Sequence, residues 1–480
     1  MMKIKTVLVC LAAVLAGVEV SAQVAEMEVF PQGKALAKTY EPQFIGSDGQ
    51  QTIFVQMAGR SKKKMELVSY DMEQNELVRV LVSDDKEVKC YGGYINGDYV
   101  DLLMAEWKDN DMRVYRDRRN AKTLQVAMEP QSLADYKGTK GDKMGFTLTV
   151  SPNQQLLAGI YIISRENQAA EVQVSLYNRE LDEYWKMDSR CRRLDYMYVT
   201  DSGEVILGGY KNGTYTFYVL DGENENEYSF DYSAKMSEYK VARYANGKLY
   251  IVYAHSGKES DNWMGTQVDY IGSICYDTKH NMVSDDRHDI TPLEYNRMNN
   301  IKDEAKVKKN DCRVFYMNLV QSIEDKNGYY AMFDQMWRVS VNGVPSEFNR
   351  NGMMVLRVDN NGKFEWVKTF RIWNTSTWEA RSQGDYRWIR TEKGPLLVWA
   401  ECKMKQDLPE NKPIKEYRQI NSAGMLTAML IDSKGDVERQ HFALNAKQTL
   451  IGMPHRMETG DLLLIIRGTS RGYFAKMKLK

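Results

Sequence analysis

The sequence predicts an all-β protein closed into a ring of about eight four-stranded blades, and three observations predict it. A four-strand unit recurs along the chain, with Asp/Asn-Gly turns at fixed places in it. The last unit lacks its fourth strand, while an unassigned strand-like piece precedes the first. The composition, with 30 Tyr and 9 Trp among 480 residues, suits many half-exposed strands better than one thick core.

The unit has a constant plan. A first strand ends in a tight polar turn with Gly, and an apolar, often Gly-containing second strand follows. A variable loop leads to a third strand ending in Asp, and a short turn opens the fourth. The cleanest copy starts at Asp385. Its first strand, Tyr386 to Arg390, ends in Thr391-Glu392-Lys393-Gly394. Leu396 to Ala400 is its second strand, Met425 to Ile431 its third and Val437 to Ala443 its fourth, with the turn at Asp432-Ser433-Lys434-Gly435. The same plan runs from Leu194 to Tyr232 and from about Arg313 to Phe370. Weaker copies start near Lys38, Glu87, Met144, Tyr239 and Ile451. Asp and Asn bond their own backbone at such turns, and Gly supplies the positive φ of a tight reversal. Second strands are expected to begin near residues 51, 98, 155, 204, 248, 329, 395 and 461, about 57 residues per unit. Seven blades is the alternative count, because the units at Glu87 and Tyr239 are degenerate.

The ends define the compartment and the closure. Lys3 and Lys5, the apolar stretch Val7 to Ala16 and the small residues Val20 and Ala22 read as a signal peptide over residues 1–22, cleaved before Gln23. Residues 23–480 form the propeller domain. No later stretch reaches 18 apolar residues, so an exported chain without an integral membrane segment is expected, periplasmic or at the cell surface. Val24 to Phe30 would supply the outer strand missing from the last unit (Pro454 to Met457, Leu462 to Ile466, Tyr473 to Leu479), and closure would remove the open sheet edges. Lys plus Arg equals Asp plus Glu at 65 each, which argues against a nucleic-acid surface. Of five scattered mature cysteines, Cys90, Cys191, Cys275, Cys312 and Cys402, at least one is unpaired, and Cys275–Cys312 is one possible bridge.

The hairpin Met354-Val355-Leu356-Arg357-Val358-Asp359-Asn360-Asn361-Gly362-Lys363-Phe364-Glu365-Trp366 resembles the repeat of exported bacterial β-propellers, in which a strand ends in Asp-x-x-Gly and returns through Trp. Leu430 to Phe442 and Val219 to Phe230 are looser versions. The hairpin is also similar to the Asp-box of sialidase propellers, but the Asp-to-Trp spacing is longer and no Ser stands two residues before the Asp. The resemblance implies the fold; propellers host many unrelated activities.

In such a blade the first-to-second and third-to-fourth turns share one face, and these are expected to be short. The long insertions are expected on the other: second-to-third loops His255 to Gln267, Arg338 to Gly352 and Lys403 to Gly424, and blade-to-blade links Gln131 to Lys143, Pro292 to Asp311 and Arg371 to Gly384. Long loops on a rigid scaffold are where binding concentrates. Candidate ligand-binding residues there are Trp263, Trp337, Arg338, Trp373, Trp378 and Arg381, of which the tryptophan rings would stack on sugars. His255 and His455 lie on or near inner strands, from which they could face the channel. No pair of the five histidines has ligand spacing, Asp359-Asn360-Asn361-Gly362 lacks the distant Glu of a calcium loop, and no nucleotide or cofactor fingerprint occurs, so no metal or cofactor is expected. The charged stretch Lys302 to Arg313 would fit a short surface helix.

The leading expectation is a non-catalytic binding propeller that takes a carbohydrate or an envelope protein on its long-loop face. A polysaccharide lyase or glycoside hydrolase with its site at the channel mouth, and a structural envelope subunit, are the alternatives.

Overall fold

The computed structural model describes residues 24–30, 43–58, 64–165, 170–211, 214–231, 236–255, 267–299, 314–315, 317–341, 344–377, 387–402, 423–443, 449–450, 454–467 and 472–479. Eight antiparallel blade sheets follow one another in chain order, with the innermost strand of each first in sequence, and a small two-stranded sheet pairs Gln267–Val268 with Val314–Phe315. Blades 1 to 7 span residues 43–83, 88–136, 143–189, 196–231, 236–289, 317–377 and 387–443. Their second strands start at Gln51, Tyr99, Leu156, Val205, Lys248, Gly328 and Pro395, and that of blade 8 at Leu462, each within one residue of expectation. The degenerate units at Glu87 and Tyr239 are complete four-stranded blades, which makes the count eight.

Blade 8 is closed by the chain's own beginning. Ala25–Val29 pairs antiparallel with Gly472–Leu479, Ala25 opposite Leu479 and Val29 opposite Ala475. The Gln440 side chain of blade 7 accepts the Ala25 amide at 2.9 Å, which ties the closing strand to the neighbouring blade as well.

Each blade packs on both neighbours, and strand alternation makes this possible. In Tyr99–Lys108, Leu102 and Met104 join the core shared with blade 1, while Leu103 and Ala105 join the core shared with blade 3. In Pro395–Cys402, Leu397 and Trp399 face blade 6, and Leu396 and Val398 face blade 8. Second strands are therefore apolar on both faces, which is why they read as unbroken apolar runs. The ring closes through Phe54, Val68 and Tyr70 of blade 1 against Leu463, Ile465 and Phe474 of blade 8.

The turns follow the expected chemistry. The Asp359 carboxylate accepts the amides of Asn361 and Lys363 at 2.8 and 2.9 Å, and Gly362 takes φ 79°. Asp432 holds Lys434 and Asp436 in the same way. The Trp of the hairpin joins neighbouring blades. The Trp366 indole N–H donates to Ser433 O at 3.0 Å, and its ring lies over Gly435 in the next blade's turn. Trp185 covers Gly222 between blades 3 and 4 likewise.

Four expectations are corrected. Gln131–Tyr136 is the outer strand of blade 2, not a link; an outer strand needs little apolar sequence, so its residues resemble a loop. The turn before it, residues 121–130, is long, so long insertions are not confined to one face. Arg338 to Gly352 is no loop: Gly328–Val341 and Val344–Asp359 form one extended hairpin, and Phe364–Thr377 runs alongside, so the link expected from Arg371 is strand as far as Thr377. In the link after blade 5 the helix is Pro292–Asn299, while Lys302 to Arg313 lies outside the described residues, as do 256–266 and 403–422. Cys90, Cys191 and Cys275 are free thiols, and Cys312, the expected possible partner of Cys275, lies outside the described residues.

Candidate functional site

First strands surround the axis, so the residues they turn inward line the channel. Where Lys143–Val150, Tyr196–Val199, Met236–Ala245, Met317–Asp325, Arg387–Arg390 and His455–Arg456 converge, they enclose a cavity of about 240 Å³. Its walls carry Tyr196, Tyr198, Gln321, Glu324, Trp388, Arg390 and Arg456. It continues outward into a bowl of about 1040 Å³ formed by the first-to-second turns of blades 3, 6, 7 and 8. Pro152, Arg390 and Arg456 line both spaces, so the two form one funnel opening on the short-turn face.

Glu324 is the best-held group in the wall. The Tyr198 hydroxyl of blade 4 donates to its Oε1 at 2.7 Å, and Arg243 Nε of blade 5 stands 3.8 Å from Oε2. Arg243 is itself positioned by the Asn360 side chain, and Tyr250 donates to the Asn360 carbonyl at 2.8 Å. Burial pushes the Glu324 carboxyl above its ordinary value, against the pull of Tyr198 and Arg243. Burial also pushes the Tyr198 phenol well up, with the adjacent carboxylate adding to it. Tyr198 therefore acts as a fixed donor and Glu324 as an acceptor whose proton is retained at higher pH than usual.

Charges ring the bowl. Arg357 pairs with Asp325 and Glu365 and lies over the Tyr330 ring at 4.7 Å. Arg390 of blade 7 reaches Asp201 of blade 4 at 3.5 Å, and Asp201 also accepts the Asn153 amide of blade 3 at 2.8 Å. Three blades thus meet over the mouth through side chains far apart in sequence.

The residues expected from sequence fall elsewhere. Trp263, Trp378 and Arg381 lie outside the described residues. Trp337 and Arg338 are in the second strand of blade 6 and Trp373 is in its fourth, on the extended ribbon, where Trp337 pairs with Asn349 and Asn349 with Thr375. His255 ends a second strand and stacks on Tyr270 at 4.3 Å. His455 stacks on Phe44 of blade 1 at 4.4 Å, because successive residues of a strand face opposite ways and Arg456 takes the channel side. Tyr198, Glu324, Arg390 and Arg456 belong to no motif; the available signal was polar and aromatic residues at alternate positions of short first strands, such as Tyr196-x-Tyr198.

No protein-family model matches the chain. No curated protein matches it either. Among solved structures it is similar to the WD40 domain of SCAP from fission yeast, at 10% identity, with 96% of each chain covered and a TM-score of 0.38. It is also similar to the Dos1 propeller, at 9% identity over 82% of this chain and 92% of that one, TM-score 0.34. A third likeness is to prolyl oligopeptidase B from Galerina marginata, at 9% identity over 94% of this chain and 56% of that one, TM-score 0.37. The chain's own sheet order and closure define its class: an eight-bladed β-propeller. No helix among the described residues is long and apolar enough to cross a membrane.

Proposed function

We propose that this protein is an exported binding propeller that seats the end of a polar chain in its channel-mouth funnel without transforming it. The observation that carries this reading is the continuity of a cavity of about 240 Å³ with a wider bowl through Arg390 and Arg456. A pocket with a mixed aromatic and polar wall on a rigid scaffold is the usual form of a ligand site. Tyr196 and Tyr198 line the cavity with aromatic rings that suit sugar C–H groups, and Glu324 and Gln321 offer hydrogen bonds to hydroxyls. Export rests on Lys3, Lys5 and the apolar stretch to Ala16. The test is native affinity electrophoresis of residues 23–480 against a panel of polysaccharides, with polymer length followed in parallel. Retardation that weakens about thirtyfold or more in Tyr198→Phe/Glu324→Gln, with polymer intact, is expected, because one hydrogen bond to a charged group contributes on the order of 2 kcal/mol. Shortened polymer would instead identify a lyase or hydrolase.

One observation favours a second reading, a partner protein docked on blade 6. Its outer three strands are 14, 16 and 14 residues long, against at most 10 in any other blade. This ribbon extends the sheet on the face opposite the funnel and carries Trp337, Arg338 and Trp373 along its strands. Absence of retardation by every polymer of the panel would favour this reading over the funnel.

A further inference from the structure

The charges around the funnel point to one class of ligand. Asp325 is neutralised by Arg357, and Asp461 by Lys476 at 3.1 Å. Glu324 is occupied by Tyr198 and Arg243. Lys326, Lys393 and Arg456 line the same space and have no carboxylate partner among the described residues, against Glu392 as the one unpaired carboxylate there. The funnel therefore presents an excess of positive charge although the whole chain is balanced at 65 cationic and 65 acidic residues. Low-dielectric walls concentrate such a field on whatever enters.

Arg390 stands at the neck, lining both bowl and cavity. Its partner Asp201 is 3.5 Å away, and their side chains are 49% and 34% exposed. An exposed pair of this length contributes little. A bidentate carboxylate or sulfate on the same guanidinium binds more strongly. Asp201 would not be stranded by the exchange, since the Asn153 amide still holds it at 2.8 Å. Beneath the neck, the cavity of about 240 Å³ is the size of one sugar ring rather than of a folded peptide segment.

We propose, building on the binding role above, that the funnel recognises the acidic end of an anionic saccharide, with Arg390 exchanging Asp201 for the ligand's acidic group and Arg456 meeting it from blade 8. The test is calorimetric titration of residues 23–480 with three oligosaccharides of equal length: a uronide, a sulfated chain and a neutral chain. At least one acidic oligomer is expected to bind tenfold or more tighter than the neutral one, and the uronide and sulfated arms identify which acidic group is read. Asp201→Asn removes the competing anion and is expected to tighten acidic binding about threefold while leaving neutral binding unchanged. Arg456→Gln, at an exposed position, is expected to weaken acidic binding about tenfold and to lower its salt dependence. Equal affinity for acidic and neutral oligomers, or weaker acidic binding in Asp201→Asn, would overturn this inference and leave the binding role standing. Failure of all three oligomers to bind, together with every polymer of the panel, would remove both.

Discussion

At the scale of single residues, the chain places glycine where two backbones meet. Gly209 lies in Val205–Lys211, and a Cβ there would stand 1.9 Å from the Arg193 carbonyl oxygen. The segment entering blade 4 presses on this strand, with the Asp195 amide donating to Gly208 O at 2.9 Å. Gly145, in a first strand, would place its Cβ 3.8 Å from Ile162, an ordinary contact. Gly209→Ala should cost about 2 kcal/mol, as overpacking typically does, whereas Gly145→Ala should be neutral or slightly stabilising. Urea midpoints of the two variants check the difference; equal midpoints would mean that the Arg193 carbonyl yields freely. The free thiols show the same economy. Cys191 is buried, and burial pushes its thiol up to about 11, so it acts as a small apolar side chain.

At the scale of elements, the helix Pro292–Asn299 shows how a local motif becomes a joint. Pro292 occupies its first turn, Thr291 Oγ1 accepts the Glu294 amide at 3.3 Å, and Glu294 Oε2 accepts the Thr291 amide at 2.8 Å. The same carboxylate reaches His288 Nε2 at 2.9 Å on the outer strand of blade 5, while Met298 enters the core between blades 5 and 6. Burial pushes the Glu294 carboxyl up, but His288 and the Thr291 amide outweigh it, and the carboxyl sits below its ordinary 4.5. A carboxyl lowered in the folded state contributes stability above its unfolded value, and this is lost as pH falls through the folded one. Thermal unfolding at pH 6, 4 and 3 should therefore show a steeper acid loss in the native chain than in Glu294→Gln. Parallel losses would mean that the cap does not contribute to acid sensitivity. The ribbon of blade 6 is the other element with a role beyond the ring. Its sequence, Arg338 to Gly352, looks like a loop because it mixes polar and turn-forming residues that a projecting hairpin tolerates.

At the scale of the whole molecule, stability depends on closure. Eight shared cores form a circle, so each blade is buried on two sides only while the circle is complete. Removing residues 24–30 would free the edge of Gly472–Leu479 and take Val24, Ala25 and Met27 from the core between blades 7 and 8. An exposed edge invites pairing with other chains. The shortened protein should melt several degrees lower and associate, and a peptide of residues 23–31 added in trans should restore both melting and monomer, as a strand added to a sheet edge does. Unchanged melting without the strand would show that the ring holds through its other seven interfaces.

The sequence by itself determined the repeat and the closing strand and narrowed the blades to seven or eight; the complete sheets at Glu87 and Tyr239 settled eight. The repeat and the closing strand rest on local rules: apolar runs where a strand is buried on both faces, and Asp-x-x-Gly where the chain reverses, so second-strand starts were legible to within one residue. Only the tertiary structure decided the site. The funnel takes single residues from the first strands and turns of blades 3 to 8, and no motif links Asp201 to Arg390 or Tyr198 to Glu324. The histidines singled out from sequence illustrate the reason. Which side of a short first strand faces the axis depends on register, and a shift of one residue exchanged His455 for Arg456.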